Sequence, residues 1–451
     1  MYSLGEIAEI VRGSLTGDAD TRPLRVVHDS RTVEPGDLFV ALRGARTDGH
    51  AFLGEVFRRG ACGSLVADAG GIPEDTPGLI VVADPLEALQ RLASAWRDRL
   101  PSKQIGITGS FGKTTTRTLT AHLLRTAFTV HEPPGNFNTE IGLPLALLAM
   151  PEAAEVGVFE LGAERPGDIG FLAELLRPYI AVLTGVGPGH LDGFGSIEAI
   201  AEEKWSLVAG LDRSAIAFVN ADSPHLLTRI PKAPCAVRSV GVEAGNLRGR
   251  VERDVPELVL EVDEPRMHLR VPLLGAQNAS NVLLAVACAL HLGVKPQTIE
   301  EAIGDYVPPH QRLRALEAPF GTVLDDTYNA NPASVKAALR VLAAYGAPDA
   351  HRVFVFGDML GLGEASDRMH REIVGFAESL GIDRILPVGE RAAAACGVAA
   401  PKAEDRPRTV RSVFREGENV VLVKGSRALA LEHLVAALLR KDGTGSRRRR
   451  G

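Results

Sequence analysis

Cysteine is scarce in this 451-residue chain, which has only Cys62, Cys235, Cys288 and Cys396, no two of them in CxxC spacing. That argues against a disulfide framework or a cysteine-built zinc site and for buried thiols in a reducing compartment. Long apolar runs are also missing. The most apolar helical stretch, Val282 to Leu292, falls far short of the roughly 20 residues a membrane span needs, so it is predicted to be a helix buried in a domain core. Basic excess is absent, with 50 Lys and Arg against 56 Asp and Glu and a net charge of −6, which argues against a nucleic-acid partner. Met1 to Glu6 shows no basic start leading into an apolar core, so no signal peptide is expected, and the protein is expected to work in the cytoplasm without a membrane span. The tail Arg447-Arg448-Arg449-Arg450 is read as a solvated end. No short-period repeat is visible.

What is present fits a globular protein, with 45% hydrophobic and 24% charged residues. Its length predicts two to four domains. Residues 1–100 mix short strands and helices. They include a turn at Val33 to Asp37, a strand over Leu38 to Leu42 and a closing helix over Pro85 to Arg99. Residues 101–309 begin with a strand over Gln104 to Thr108, and further strands are predicted at Val156 to Glu160 and Ile180 to Thr184. Helical stretches lie between them, the pattern of a parallel α/β sheet. The Pro308-Pro309 pair marks the next boundary. Residues 310–451 repeat the alternation, with strands at Thr322 to Asp325, Val353 to Phe356, Arg384 to Val388 and Val420 to Val423. This predicts a doubly wound, Rossmann-like domain whose ligand site lies at the carboxyl ends of its strands.

The most specific chemical signal is Thr108-Gly109-Ser110-Phe111-Gly112-Lys113-Thr114-Thr115, between a predicted strand and a predicted helix. Glycines let backbone N–H groups turn toward phosphate oxygens, and the helix start adds positive potential. Lys113 can reach the β- and γ-phosphates and Thr114 can hold Mg²⁺. The pattern is imperfect, since Ile107 stands six before Lys113 where the general motif has glycine. The bland alternative, a glycine-rich helix cap, is disfavoured by the strand–loop–helix context. Glu160 ends a strand of the same sheet, where a hard carboxylate suits Mg²⁺, although a strand-end Glu is by default an ordinary charge. His190, in Gly187-Pro188-Gly189-His190-Leu191-Asp192, follows another strand. Lys204 sits in Glu202-Glu203-Lys204, which by itself reads as surface charge.

Together these segments resemble the Mur ligase family over essentially the whole chain. The resemblance is carried by Asp29-Ser30-Arg31, Pro35-Gly36-Asp37-Leu38-Phe39-Val40-Ala41-Leu42 and Asp48-Gly49-His50-Ala51-Phe52. The phosphate loop follows, then Gly135-Asn136-Phe137-Asn138-Thr139-Glu140-Ile141-Gly142-Leu143-Pro144, Glu160-Leu161-Gly162-Ala163 and His190 to Ser196. Three later segments are similar to the branch that adds a dipeptide: Asp325-Asp326-Thr327-Tyr328-Asn329-Ala330-Asn331-Pro332, Gly357 to Glu364, and Val421-Leu422-Val423-Lys424-Gly425-Ser426-Arg427.

The resemblance implies three α/β domains: a UDP-sugar-peptide module (1–100), an ATP-binding ligase domain (101–309) and a Rossmann-like domain that closes on the nucleotide and helps hold the dipeptide (310–451). It implies an ATP- and Mg²⁺-dependent ligase that joins D-alanyl-D-alanine to a UDP-sugar tripeptide during cell-wall synthesis, acting on small molecules as a monomer. By position, Gly109, Ser110, Phe111, Gly112, Lys113, Thr114 and Thr115 contact phosphates. Asn278 and Asn281 face adenine, and Arg312 and Asp326 the rest of the nucleotide. Thr114, Glu160, His190 and Lys204 serve the magnesium ions, Lys204 as a carbamate. Ser30, Arg31, Asp48, Gly49, His50, Asn136, Asn138, Tyr328, Asn329 and Asn331 face the substrates.

The sequence departs from the family pattern at Phe111, Arg117, Trp205 and Gln277, none of which carries an implied chemical role. The alternatives are a sister ligase that adds the third amino acid, a folate polyglutamylating ligase, and a catalytically dead nucleotide-binding scaffold. The first lacks support because no Asp-Asn-Pro-Arg run is present, and the second leaves the N-terminal segments unexplained. Retention of Lys113, Thr114, Glu160, His190 and Lys204 speaks against the third.

Overall fold

Three sheets carry the chain in a computed structural model that describes residues 1–44, 47–68, 70, 76–135, 137–188 and 191–440. The first is five-stranded. It runs Ser14–Gly17, Gly78–Val81, Gly63–Val66, Leu38–Val40 and Val26–Val27 in space, and all its pairs are parallel except the first. The helix Pro85–Arg99 covers it. Asp84 accepts from the N–H groups of Leu86 and Glu87 and Pro85 opens the first turn, so the helix begins where cap and proline both favour it.

The second sheet is nine-stranded. Its parallel part places Lys103–Thr108 between Val156–Glu160 and Ile180–Leu183. Ile107 pairs with both Glu160 and Val182, so the phosphate loop and the Glu160 carboxylate emerge side by side at one sheet edge. The sheet then continues through Ile216–Asn220 and Ala236–Gly241 into an antiparallel extension, Leu247–Arg253, Leu258–Val262 and Met267–Val271. The parallel pattern expected from the sequence does not include that extension. Its last strand alternates buried and exposed residues, as expected of a strand with one wet face.

The third sheet runs Arg314–Ala318, Gly321–Asp326, Asn419–Lys424, His351–Gly357 and Arg384–Val388, antiparallel only at its first pair. Asp326 and Lys424 end adjacent parallel strands in register.

The cores divide unevenly. One core runs without a break from the N-terminal unit (Leu4, Leu38, Leu89, Trp96) into the middle unit (Leu143, Leu147, Leu172, Leu207). Trp96 Nε1 donates to the Met150 carbonyl at 3.0 Å, and Arg97, buried in the same helix, donates to the carbonyls of Glu174 and Leu175 at the end of the helix Asp168–Leu176. The C-terminal unit has a core on each side of its sheet, and one of them also takes in Leu274 and Val255 of the middle unit. Among the described residues no helix is long and apolar enough to cross a membrane.

Candidate active site

A cavity of about 1060 Å³ opens where the middle and C-terminal sheets face each other. Its floor is the phosphate loop. The fully buried strand residues Gln104 to Thr108 deliver the chain to Gly109, and the helix Lys113–Leu124 leaves from Gly112. Gly112 has φ +78°, and a Cβ there would strike the Asn281 side-chain amide, so only glycine fits. The bulky Phe111 is accommodated because Gly185 and Gly187 lie under its ring, where a Cβ on Gly185 would collide with it. The Thr184 hydroxyl also donates to the Phe111 carbonyl.

Lys113 Nζ donates to the Gly109 carbonyl at 2.8 Å. Burial lowers its pKa and so does Arg312, with Glu160 pulling the other way. Thr114 Oγ1 donates to Glu160 Oε2 at 2.8 Å, and Asn138 Nδ2 donates to Glu160 Oε1 at 3.0 Å. Glu160 is 6% exposed. Burial works to raise its pKa, but the charge of Lys113, the Thr114 hydroxyl and the charges of Arg117 and Arg312 outweigh that, and the carboxyl sits below its ordinary value.

Lys204, on the helix Ile197–Ala209, is 4% exposed and lines the cavity. Burial first, then the Lys113 charge, brings its pKa down to about 7 against the opposing pull of Glu203, Asp168 and Glu160. The adjacent Glu203 is not its ion-pair partner: that carboxylate accepts from the N–H groups of Gly167 and Ile169 and caps the helix Asp168–Leu176.

On another wall, Asn281 donates to Asn278 Oδ1 at 3.0 Å and accepts from the Thr116 hydroxyl at 3.2 Å, tying the loop helix to the short helix Ala276–Asn278. Asn278 and Gln277 both donate to the Leu274 carbonyl. From the C-terminal side, Arg312 Nη2 donates to Thr114 Oγ1 at 3.0 Å. Asp326 accepts from Lys424 Nζ at 2.5 Å, and the same ammonium donates to the Asn329 carbonyl at 2.9 Å. Asn331 caps the helix Pro332–Ala344 in a reciprocal pair with Ser334.

The cavity therefore brings together Gly109 to Thr115, Asn138, Glu160, Lys204, Asn278, Asn281, Arg312, Asp326, Tyr328, Asn329 and Asn331. Ser30, Arg31, Asp48, Gly49 and His50 are not in its wall. They lie in the N-terminal unit, where Asp29 and Asp48 cap the short helices Ser30–Thr32 and Gly49–Phe52. His50 Nε2 accepts from the Ala67 N–H at 2.9 Å and its Nδ1 faces Asp48 at 2.6 Å, the pattern of a neutral ring protonated on Nδ1. Asn136 and His190 lie outside the described residues.

Sequence reasoning assigned no role to Lys424, which is 2% exposed and lines the cavity. The available signal was a lysine that follows the apolar run Val420 to Val423 in the strand Asn419–Lys424, at the sheet edge where ligands bind. Arg165 and Asp168 on the cavity rim, paired at 3.2 Å, were also missed.

The donor set fits magnesium. Thr114 and Glu160 offer hard oxygens already in contact, and Mg²⁺ commonly takes one or two protein oxygens and completes its shell with phosphate and water. Among the described residues no group of three or more His, Cys, Asp and Glu converges into an all-protein cage.

Comparison with known proteins covers nearly the whole chain. Residues 107–289 match the Mur ligase middle domain, 311–442 the Mur ligase glutamate ligase domain, and 25–97 the Mur ligase family catalytic domain. The UDP-N-acetylmuramoyl-tripeptide--D-alanyl-D-alanine ligase of Bacillus subtilis strain 168 is 32% identical, over 96% of this chain and 97% of its own. A crystal structure of MurF from Acinetobacter baumannii superposes with a TM-score of 0.87 at 29% identity, over 98% of this chain and 99% of that one. MurF from Thermotoga maritima in complex with ADP superposes at 0.82 and 28% identity, over 93% and 97%. Domain by domain and end to end, the chain belongs to the Mur ligase family, in its MurF-type branch.

Proposed function

We infer that this chain is an ATP-dependent ligase that joins D-alanyl-D-alanine to UDP-N-acetylmuramoyl-tripeptide through an acyl phosphate, giving the UDP-pentapeptide. The observation that carries the reading is a phosphate loop whose Lys113 and Thr114 face Glu160 in a cavity closed by the C-terminal unit, in a chain matched along its length by ligases of that name. UDP-linked substrate and ATP are cytoplasmic reagents, which is where such an enzyme works.

A carboxylate acylates poorly because oxide is a poor leaving group. In the first step a carboxylate oxygen of the tripeptide takes the γ-phosphoryl group of ATP and ADP departs. In the second the dipeptide amine attacks the acyl carbon, the C–O bond to phosphate breaks, and the amine loses a proton. Lys113 and the loop N–H groups are suited to bind the β- and γ-phosphates and to meet the charge that builds on them. Thr114 and Glu160 would hold magnesium, with Asn138 orienting the carboxylate and His190 and carbamylated Lys204 completing the set that the family resemblance implies. The bound ion neutralises phosphate charge.

We assign residues 1–100 to the UDP-sugar end of the substrate, 101–309 to the nucleotide and 310–451 to closure and the dipeptide. Asn329 and Asn331 are our candidates for dipeptide contact. Asn331 reaches it through whatever its helix cap leaves free, and closure over the cavity would keep water from the acyl phosphate.

The test is product mass. Purified protein with UDP-N-acetylmuramoyl-tripeptide, ATP, Mg²⁺ and D-alanyl-D-alanine should release ADP and yield the UDP-pentapeptide, with little turnover on D-alanine, lysine or diaminopimelate. A UDP-dipeptide extended by one amino acid, with D-alanyl-D-alanine ignored, would refute it.

A further inference from the structure

We propose that Tyr328 is a positioning residue whose ring holds the Arg312 guanidinium against Thr114 of the phosphate loop, so that the C-terminal unit presents a fixed positive charge to the reacting phosphates. The proposal rests on the reaction assigned above.

Arg312 is reached through an unusual stretch of backbone. Both its neighbours, Gln311 at φ +62° and Leu313 at φ +52°, adopt the left-handed conformation that residues with a side chain rarely take. Such conformations persist where the surroundings over-determine them, and they cluster at functional sites. Here both ends are pinned. Leu313 is 7% exposed and packs in the C-terminal core with Leu324, Val335 and Leu339. The Gln311 carbonyl accepts from the Tyr328 backbone N–H at 3.2 Å. The strand that begins at Arg314 and pairs with Asp325 fixes the chain beyond. The strap thus projects the Arg312 side chain out of the C-terminal unit and toward the other sheet.

Tyr328 then acts a second time, through its ring. The Arg312 guanidinium carbon lies 3.8 Å from the ring centroid, and Nη2 reaches Thr114 Oγ1 at 3.0 Å. Among the described residues no carboxylate forms an ion pair with Arg312, and no hydrogen-bond partner is present for the Tyr328 hydroxyl. Although its charge acts through space on the Glu160 carboxylate, Arg312 makes no direct ion pair, so its donor edge stays open to a phosphoryl group. A flat guanidinium on an aromatic face also keeps its donor edge free while losing much of its freedom to wander. The family resemblance places Tyr328 against substrate. The geometry places its ring against Arg312 instead, with the hydroxyl contributing nothing to that contact.

The two roles separate by experiment. ADP release and UDP-pentapeptide formation are followed in the wild type and in Tyr328→Phe, Tyr328→Leu, Arg312→Ala and the Tyr328→Leu/Arg312→Ala double variant. Tyr328→Leu should lower kcat by about 10-fold or more, with KM for both peptide substrates within about 2-fold, because charge stabilisation is lost mainly in the transition state. Tyr328→Phe keeps the ring and should recover most of that loss. In the Arg312→Ala background, Tyr328→Leu should cost less than about 2-fold, since the group it positions is gone. If melting shows the leucine variant unfolded, Tyr328→Met, of similar bulk, takes its place with the same expectations. The proposal is overturned if the phenylalanine variant falls as far as leucine with a raised dipeptide KM, which makes the hydroxyl a substrate contact. It is also overturned if the leucine variant matches the wild type or keeps its full cost without Arg312. A wild type that makes no UDP-pentapeptide sinks the assigned reaction instead, a result distinct from any ratio among the variants.

Discussion

Replacing Lys204 by methionine should stabilise the unliganded protein while abolishing its activity. Lys204 is 4% exposed, and burial and the Lys113 charge hold its pKa at about 7, against an ordinary 10.5. In the unfolded chain the amine regains its ordinary pKa. Between these values the unfolded state binds the extra proton, so stability rises with pH over that range. The penalty is fully felt below about pH 7 and is gone above about pH 10.5. A gap of about 3.5 in pKa corresponds to about 5 kcal/mol at about 1.4 kcal/mol per pH unit. Near pH 9.5 only about 1.4 kcal/mol of it remains. Methionine keeps the flexibility of the side chain and is only one heavy atom shorter, so it should fill nearly all of the space.

At roughly 2 °C per kcal/mol for a unit of this size, the variant should melt about 10 °C above wild type near pH 6 and about 3 °C above near pH 9.5. Scanning calorimetry in carbon-dioxide-free buffer, without nucleotide or magnesium, reads this directly. An increase of equal size at both pH values would show that packing alone is responsible. A fall near pH 6 would show that the ammonium has a partner that the described residues do not supply, and either result refutes the reasoning.

Lys113→Ala should leave the fold intact and lower ligation at least about 100-fold, since a charge contact to the transferring phosphoryl group is lost; near-normal ATP-dependent ligation, measured as ADP release, would contradict it. Glu160→Gln keeps the shape of the side chain but weakens a hard ligand, so half-saturation by Mg²⁺ should rise by about 10-fold or more. An unchanged magnesium titration would remove Glu160 from the ligand set. Lys204→Ala should be inactive and regain part of its rate with added short carboxylic acids, which can take the place of a carbamate in the vacated space; full activity without them would rule out carbamylation.

Sequence alone made the phosphate loop legible because its chemistry is local: glycines, Lys113 and Thr114 follow one another on a strand–turn–helix. Glu160 was legible from its place at a strand end, and strand register puts it beside the loop. Lys204 was not legible from local physics. Glu202-Glu203-Lys204 reads as surface charge, and only the fold shows that Glu203 turns inward to cap Gly167 and Ile169 while Lys204 faces the cavity. The Lys424–Asp326 pair depends on the pairing of strands nearly a hundred residues apart, which no local pattern encodes. The left-handed strap around Arg312 also escaped, because neither Gln311 nor Leu313 is a residue type that announces a positive φ. The antiparallel extension over Leu247–Val271 was hidden for a different reason: two of its three strands, Leu247–Arg253 and Met267–Val271, are broken by Arg, Glu or His, and the apolar Leu258–Val262 between them stands alone.

The division of the cores constrains how the reaction can be assembled. The N-terminal and middle units share one apolar core, stitched by Trp96 to Met150 and by Arg97 to the end of the helix Asp168–Leu176. Moving one against the other would open that core and strip buried Trp and Arg groups of their partners, a cost that grows with the apolar area exposed. The C-terminal unit has a core on each side of its sheet, one of which reaches only Leu274 and Val255 of the middle unit, and at the cavity it meets the phosphate loop through a polar contact, Arg312 to Thr114. A water molecule can replace such a contact at little cost. The less costly motion is therefore expected to be that of the C-terminal unit against the other two, which disturbs only the small apolar contact at Leu274 and Val255, with Arg312, Tyr328, Asp326 and Lys424 travelling together. In such a motion the loop, Glu160 and Lys204 would stay fixed relative to one another. On the proposed reading, the groups that meet the phosphates would be preset on one side, with the charge of Arg312 brought from the other by closure.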